Sequence, residues 1–240
     1  HTDKVRSCSF SPDGCTLASR SDDDTVRLWS VHTRVKIAVL TGHTNWINTC
    51  AFSPDGGFLV SASADNTLRL WDAHTGAEIA VLSGHTNAIK KCVFSPDGCT
   101  LASTGLDKTI LLWDVHTEVE TDIKAGHTDQ VTSCTFSPDG QTLASIGLDQ
   151  TIRFWHTRTG EEMSVISNLT TYINDTFLAF SPDGHSLASA DKNSTTSLWD
   201  AYTGAEIAVQ IGQRGQQYRV FSPDGRSLAT ADCNNTISLW

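Results

Sequence analysis

Residues 42–82 read GHTNWINTCAFSPDGGFLVSASADNTLRLWDAHTGAEIAVL, and this stretch decides the fold. Gly42-His43-Thr44 reads as a turn, and Trp46 to Phe52 as a first strand with Ile47 and Phe52 among its apolar positions. Ser53-Pro54-Asp55-Gly56 is a tight turn, because proline presets φ, aspartate bonds the backbone and glycine takes a positive φ. Phe58 to Ser63 is a second strand, and Ala64-Asp65-Asn66 turns again. Thr67-Leu68-Arg69-Leu70-Trp71 alternates with period two, as a strand does. His74-Thr75-Gly76 turns, and Glu78 to Leu82 is a fourth strand. Nothing in the unit has helical length or period.

The same unit recurs over the whole chain. All six prolines fall in Ser-Pro-Asp-Gly turns, at Pro12, Pro54, Pro96, Pro138, Pro182 and Pro223. Six of the seven tryptophans, Trp29, Trp71, Trp113, Trp155, Trp199 and Trp240, step by the same intervals of 42, 42, 42, 44 and 41 residues. A small twisted sheet of this length has two faces to cover and cannot bury both alone. Stacking copies about an axis covers both faces and leaves only short edges. The expected fold is all-β: a β-propeller of six four-stranded antiparallel blades, the sixth lacking its outer strand. A segment of a larger propeller is the alternative. One domain covers 1–240, with blades at about 1–40, 41–82, 83–124, 125–166, 167–209 and 210–240.

These residues resemble the WD-repeat family. The markers are Gly-His at 42–43, 84–85 and 126–127, the six Ser-Pro-Asp-Gly turns, Leu-Ala-Ser or close variants, and Trp-Asp at 71–72, 113–114 and 199–200. The resemblance implies blades whose fourth strand is outermost, and a ring that serves as a platform for other proteins. It also implies a buried network joining His, Ser, Asp and Trp in each regular blade. The sets are His1, Ser19, Asp23, Trp29; His43, Ser61, Asp65, Trp71; His85, Ser103, Asp107, Trp113; and His127, Ser145, Asp149, Trp155. Out of context each His-Ser-Asp set has the composition of a hydrolase triad. Four equivalent copies argue against a single active site, so no catalytic residue is assigned.

The fifth and sixth blades depart from the pattern. Leu169 stands where His is expected and Asn193 for Asp; in the sixth, Gln213, Thr230 and Asn234 replace His, Ser and Asp. Drift, with stability drawn from neighbour packing, explains this more simply than a remodelled surface.

Composition narrows the function. The net charge is −10, opposite in sign to a broad phosphate-binding surface, so nucleic acid is not the expected partner. Charged residues are only 18%, against 25 Ser and 30 Thr, a balance that favours strands and turns. No apolar run approaches a membrane span and no leader pattern is visible, so no membrane association is expected. The seven cysteines include Cys8, Cys50, Cys92 and Cys134 at one recurring position and Cys15 and Cys99 at another. Recurring strand cysteines read as small buried hydrophobes in a reducing, cytoplasmic compartment. Four sequons, at Asn168, Asn174, Asn193 and Asn234, are the count that speaks against it. Seven of nine histidines fall into two periodic classes and no Cys/His pair has zinc spacing, so neither metal nor cofactor is expected.

Function is expected from residues the fold does not require. By similarity to the family, three positions per blade face the narrow top rim: Lys4, Arg6 and Asp22; Trp46, Asn48 and Ala64; Ala88, Lys90 and Leu106; Gln130, Thr132 and Leu148; and Tyr172 with Lys192 in the fifth. Trp46 is the tryptophan off the lattice, where the other repeats carry Lys4, Ala88 and Gln130. Exposed aromatic and arginine side chains anchor interfaces. The expected function is a non-enzymatic protein–protein interaction scaffold, with a small-ligand or glycan-binding propeller as the alternative. The chain begins inside a Gly-His turn and ends at Trp240, where an outer strand should follow. It reads as part of something longer, resembling the sensor propellers of large nucleotide-binding signalling proteins, although no Gly-Lys-Ser/Thr motif is present.

Overall fold

A computed structural model describes residues 1–167, 169, 177–190, 195–211, 218–231 and 237–239. They form six antiparallel sheets, five of four strands and one of three. The first holds β1 (Val5–Phe10), β2 (Thr16–Ser21), β3 (Val26–Ser30) and β4 (Lys36–Leu40). The second holds β5 (Ile47–Phe52), β6 (Phe58–Ser63), β7 (Thr67–Asp72) and β8 (Glu78–Ser83). The third holds β9 (Ile89–Phe94), β10 (Thr100–Gly105), β11 (Thr109–Asp114) and β12 (Glu120–Ala125). The fourth holds β13 (Val131–Phe136), β14 (Thr142–Gly147), β15 (Ile152–His156) and β16 (Glu162–Ile166). The fifth holds β17 (Phe177–Phe180), β18 (Ser186–Ala190), β19 (Thr195–Asp200) and β20 (Glu206–Ile211). The sixth holds β21 (Tyr218–Phe221), β22 (Leu228–Ala231) and β23 (Ile237–Leu239).

Within each sheet the strands pair in chain order, so the fourth strand is an edge. Fourth strands run past the expected repeat limits at Ser83, Ala125 and Ile211, because their pairing with the third strand continues to Thr67, Thr109 and Thr195. The first strand of the second repeat starts at Ile47 rather than Trp46.

The chain divides into two compact units, His1–Gly126 and His127–Trp240. In the first unit, Val26, Leu28, Leu59 and Trp71 are buried together, and Val60, Leu68, Ile89 and Trp113 form the next cluster. In the second, Ile146, Phe154, Leu178, Leu187 and Trp199 form one cluster with Leu169. Each cluster takes residues from neighbouring sheets, so burial is supplied by stacking. β1 shows the converse. Val5 is 56% and Phe10 60% exposed where no sheet of its unit precedes it, while Ile47 is 3% exposed.

The Ser-Pro-Asp-Gly turns all have one construction. In the second repeat the Asp55 carboxylate accepts the Ser53 hydroxyl and the Gly57 amide, and Gly56 sits at φ 77°. Among the described residues no helix is long and apolar enough to cross a membrane.

Candidate functional site

Two sets of polar side chains are candidates: the recurring His-Ser-Asp-Trp groups and the positions around the starts of the first strands. The first follows from register. In the second sheet Leu59 pairs Trp71 and Ser61 pairs Arg69, so Trp71 and Ser61 are diagonal neighbours on one face. The indole spans that diagonal and its Nε1–H donates to Ser61 Oγ at 2.9 Å. His43, from the turn before β5, places Nε2 2.8 Å from Ser61 Oγ and Nδ1 2.8 Å from Asp65 Oδ2. The Asp65 carboxylate also accepts the Thr44 amide, the Thr67 amide and the Thr67 hydroxyl at 2.7–3.0 Å.

Three other repeats have the same arrangement. His–Ser distances are 2.8 Å at His1, His85 and His127. The tryptophan–serine bonds of Trp29, Trp113 and Trp155 are 2.8–2.9 Å. The carboxylates of Asp23, Asp107 and Asp149 close the sets on the histidine Nδ1 at 2.8–3.0 Å.

Proton bookkeeping defines the chemistry. The serine oxygen accepts the indole N–H, so its own proton goes to a bare histidine Nε2, and the histidine Nδ1–H goes to the carboxylate. Every donor then has an acceptor with neutral imidazole and ionised aspartate. Burial keeps His43 and His127 below the ordinary histidine pKa of 6.5, against the opposing pull of Asp65 and Asp149. Burial opposes ionisation of Asp65, but hydrogen bonds from Thr67, the Thr44 amide and His43 outweigh it and hold the group at about 2. Asp107 is likewise at about 2, its burial outweighed by His85 and Thr109. Ser61, Ser103 and Ser145 are fully buried, so their hydroxyls do not face solvent. The distances are those of a hydrolytic triad, but the serine is bound into an indole and covered. The arrangement satisfies buried polar groups and ties the loop before the first strand to the second and third strands.

In the fifth repeat only one bond of the set is described: Trp199 Nε1 donates to Ser189 Oγ at 2.8 Å. Leu169 is 8% exposed and packs in the apolar cluster of the second unit. Tyr172, Lys192, Asn168, Asn174, Asn193, Gln213, Asn234 and Trp240 lie outside the described residues.

The second set is organised by the backbone. The carbonyls of Lys4, Trp46, Ala88 and Gln130 accept the amides of Asp22, Ala64, Leu106 and Leu148 at 2.8–3.0 Å. The third position is the residue skipped by the ladder. Register shifts fall between Val5 and Ser7, Ile47 and Thr49, and Val131 and Ser133, and the third sheet passes from Lys91 to Ile89. Arg6, Asn48, Lys90 and Thr132 are therefore bulged residues, and a bulge re-aims the side chain it carries. Composition carries no signal for this; only the pairing shows it.

These side chains have different employments. Arg6 makes a two-pronged bond to Asp22, Nε to Oδ1 at 2.7 Å and Nη2 to Oδ2 at 2.6 Å, so much of its charge is met locally. Asn48 Nδ2 donates to the Ile89 carbonyl at 2.8 Å, and Arg20 Nη1 donates to the Ile47 carbonyl at 2.8 Å. These bonds tie the first three sheets together at this end of the first unit. Lys4 and Lys90 are exposed, Leu106 is half-buried, and Trp46 is 65% exposed. Gln130 and Leu148 are half-buried in the second unit. Arg20 was not among the sequence candidates, since an arginine inside a strand gives no hint that it reaches the next sheet.

Cys8, Cys15, Cys50, Cys92, Cys99 and Cys134 are free thiols. Burial pushes the Cys50 thiol up to about 11, so it is an inert packing group. Among the described residues no group of three or more His, Cys, Asp or Glu is arranged to hold a metal ion.

Comparison with known proteins agrees with the repeat. A family model described as the IFT122 first beta-propeller matches residues 4–240. Over 33 residues the chain is 54% identical to the ribosome biogenesis protein ERB1 of Debaryomyces hansenii, a stretch covering 14% of this chain and 4% of that protein. With six antiparallel sheets built from one Trp-marked unit and a family match across nearly its whole length, the chain belongs to the IFT122 first beta-propeller family and is a WD-repeat β-propeller.

Proposed function

We propose that the chain is a non-enzymatic scaffold that binds a protein partner on the rim formed at the first-strand starts of its first unit. The observation that carries this reading is Trp46. Its amide donates to Asn45 Oδ1 at 2.8 Å and its carbonyl accepts Ala64, so the backbone is held, yet 65% of the residue faces solvent. The equivalent positions in other repeats are Lys4, Ala88 and Gln130, so the fold makes no demand for an indole there. An exposed tryptophan on a held backbone has only two side-chain torsions to order on binding and offers a large apolar area.

Around it, Lys4, Arg6, Asn48, Lys90 and Leu106 complete the surface, and Gln130 and Leu148 hold the same positions in the second unit. Arg6 is met by Asp22, which Lys4 also reaches electrostatically, so the exposed Lys90 is the main unmet positive charge, which fits an apolar partner segment with an acidic flank. The net charge of −10 favours a protein over nucleic acid, and the free thiols support a reducing, cytoplasmic setting. The four His-Ser-Asp-Trp sets act as cohesion within their repeats, and residues 1–240 serve as one domain, as in the sensor region of a larger signalling protein.

The test is affinity capture with wild type and Trp46→Ala, folding checked by circular dichroism. Partners retained by wild type and lost by Trp46→Ala support the reading. Identical capture by the two proteins contradicts it.

A further inference from the structure

The second unit contains a groove of about 550 Å³ between the fourth and fifth sheets, at the end carrying the Ser-Pro-Asp-Gly turns. Its origin is a local difference between repeats. The turns stack alike where the second sheet meets the first and the fifth meets the fourth: a Cβ on Gly56 would lie 3.5 Å from Pro12, and one on Gly184 3.4 Å from Pro138. The outer parts differ. A Cβ on Gly76 would overlap Ala38 of the preceding sheet, so those two sheets close tightly. At the equivalent Gly204 the nearest atom is Ile166 Cγ1 at 3.4 Å, and Ser164, which corresponds to Ala38, is out of reach. The fourth and fifth sheets therefore splay at this edge.

The lining is mixed apolar and acidic. Phe180 and the exposed Met163 of β16 line it, with the buried Phe154 behind Phe180, edge to face at 6.4 Å. Asp139 and Asp183 also line it, and the Asp183 carboxylate lies against Gly225 of the sixth sheet with His185 in electrostatic reach. Each uses Oδ1 to accept a serine hydroxyl, Ser137 or Ser181, and a backbone amide, while Oδ2 takes no hydrogen bond among the described residues. Those bonds keep both carboxyls below the ordinary range and so ionised.

The repeat shows what is missing. Asp13 and Asp55 lie within electrostatic reach of His74 and His116 from the following sheet. At the position corresponding to those histidines stands Tyr202, 73% exposed and tilted against the His185 ring at 5.6 Å. His156 also lines the groove, and its Nδ1 accepts the Thr159 amide at 3.1 Å. A carboxylate that faces a basic side chain elsewhere here faces open space beside an aromatic ring.

We propose that this groove binds an extended peptide through one arginine side chain, its stem on Phe180 and Met163 and its guanidinium on Asp139 beside Tyr202. A guanidinium suits a carboxylate beside an aromatic ring better than a point charge does. A peptide is favoured over a free amine because β16 is an edge strand whose side chains line the groove, leaving backbone groups beside it for pairing. The site is separate from the Trp46 rim and does not depend on it.

Met163 is the single methionine of the chain and reports directly by methyl NMR. The probe is acetyl-Ala-Leu-Arg-Leu-Ala-amide against its citrulline analogue. The expected result is a saturable shift of the Met163 methyl with the arginine peptide, weakened about tenfold or more by citrulline. Asp139→Asn keeps the Oδ1 acceptor and removes only the charge, and should weaken binding similarly, whereas Asp13→Asn and Trp46→Ala should leave it unchanged. Ala201→Val narrows the groove with the side chain found at the equivalent Val115, and should abolish the shift even if the aspartate variant unfolds. Equal binding of the citrulline peptide, an unmoved Met163 signal, or full affinity in Ala201→Val would overturn the proposal.

Discussion

The third and fifth sheets share a tryptophan–serine bond and differ in what stands behind it. In the third, Ser103 links Trp113 to His85, His85 links to Asp107, and Asp107 collects Thr86 and Thr109. In the fifth, Ser189 holds Trp199, and the position of the histidine is filled by Leu169, packed among Ile166, Leu178 and Leu187. One repeat is closed by a polar chain with every member satisfied, the other by apolar burial. The polar chain binds a loop to two strands in one geometry, whereas the leucine contributes non-directional burial. The two solutions should fail differently.

The largest difference is expected at the carboxylate. Asp107→Ala leaves the His85 ring, two amides and the Thr109 hydroxyl without their acceptor and should cost about 3 kcal/mol in urea unfolding. A loss below about 1 kcal/mol would mean that the network is ornamental. Next is the serine, which both sheets carry. Ser103→Ala strands an indole N–H and an imidazole nitrogen, about 2 kcal/mol, while Ser189→Ala strands one described donor, about 1 kcal/mol. Equal costs would erase the distinction between the sheets.

Acid should expose the same contrast with a smaller amplitude. His43 and His127 have depressed pKa values, so their contribution is full above about 6.5 and is lost as pH falls below it. The depressed Asp65 and Asp107 contribute above the ordinary 3.8 and lose their contribution as pH falls toward about 2. Urea midpoints should therefore fall in two stages on acidification, and a midpoint that rose from pH 8 to pH 5 would contradict neutral buried histidines. Smallest is a turn effect away from the networks. Glu118 sits at φ 61° where Gly76, Gly160 and Gly204 stand in other repeats. Relief of its strain, less the entropy glycine adds to the unfolded chain, should make Glu118→Gly about 0.5 kcal/mol more stable.

The sheets were legible because their determinants are local. Proline, aspartate and glycine specify the turns, and period-two alternation specifies the strands between them. The Trp71–Ser61 bond could be anticipated from the family pattern, and its geometric reason, the diagonal register, became visible with the pairing. The bulges at Arg6, Asn48 and Lys90 were not legible, since they are backbone events that any residue type tolerates. Nor was the cancellation of Arg6 by Asp22, sixteen residues away. The groove beside Asp139 arises from the wider spacing of the fourth and fifth sheets at Gly204, a distance between sheets that periodicity does not report.

The most direct test of the contrast is native-state hydrogen exchange resolved by strand. If the polar chain sets local stability, amides of β18 and β19 should exchange at least about tenfold faster than those of β10 and β11, a difference near 1.4 kcal/mol in opening free energy. Equal protection in the two sheets, or stronger protection in the fifth, would contradict the account.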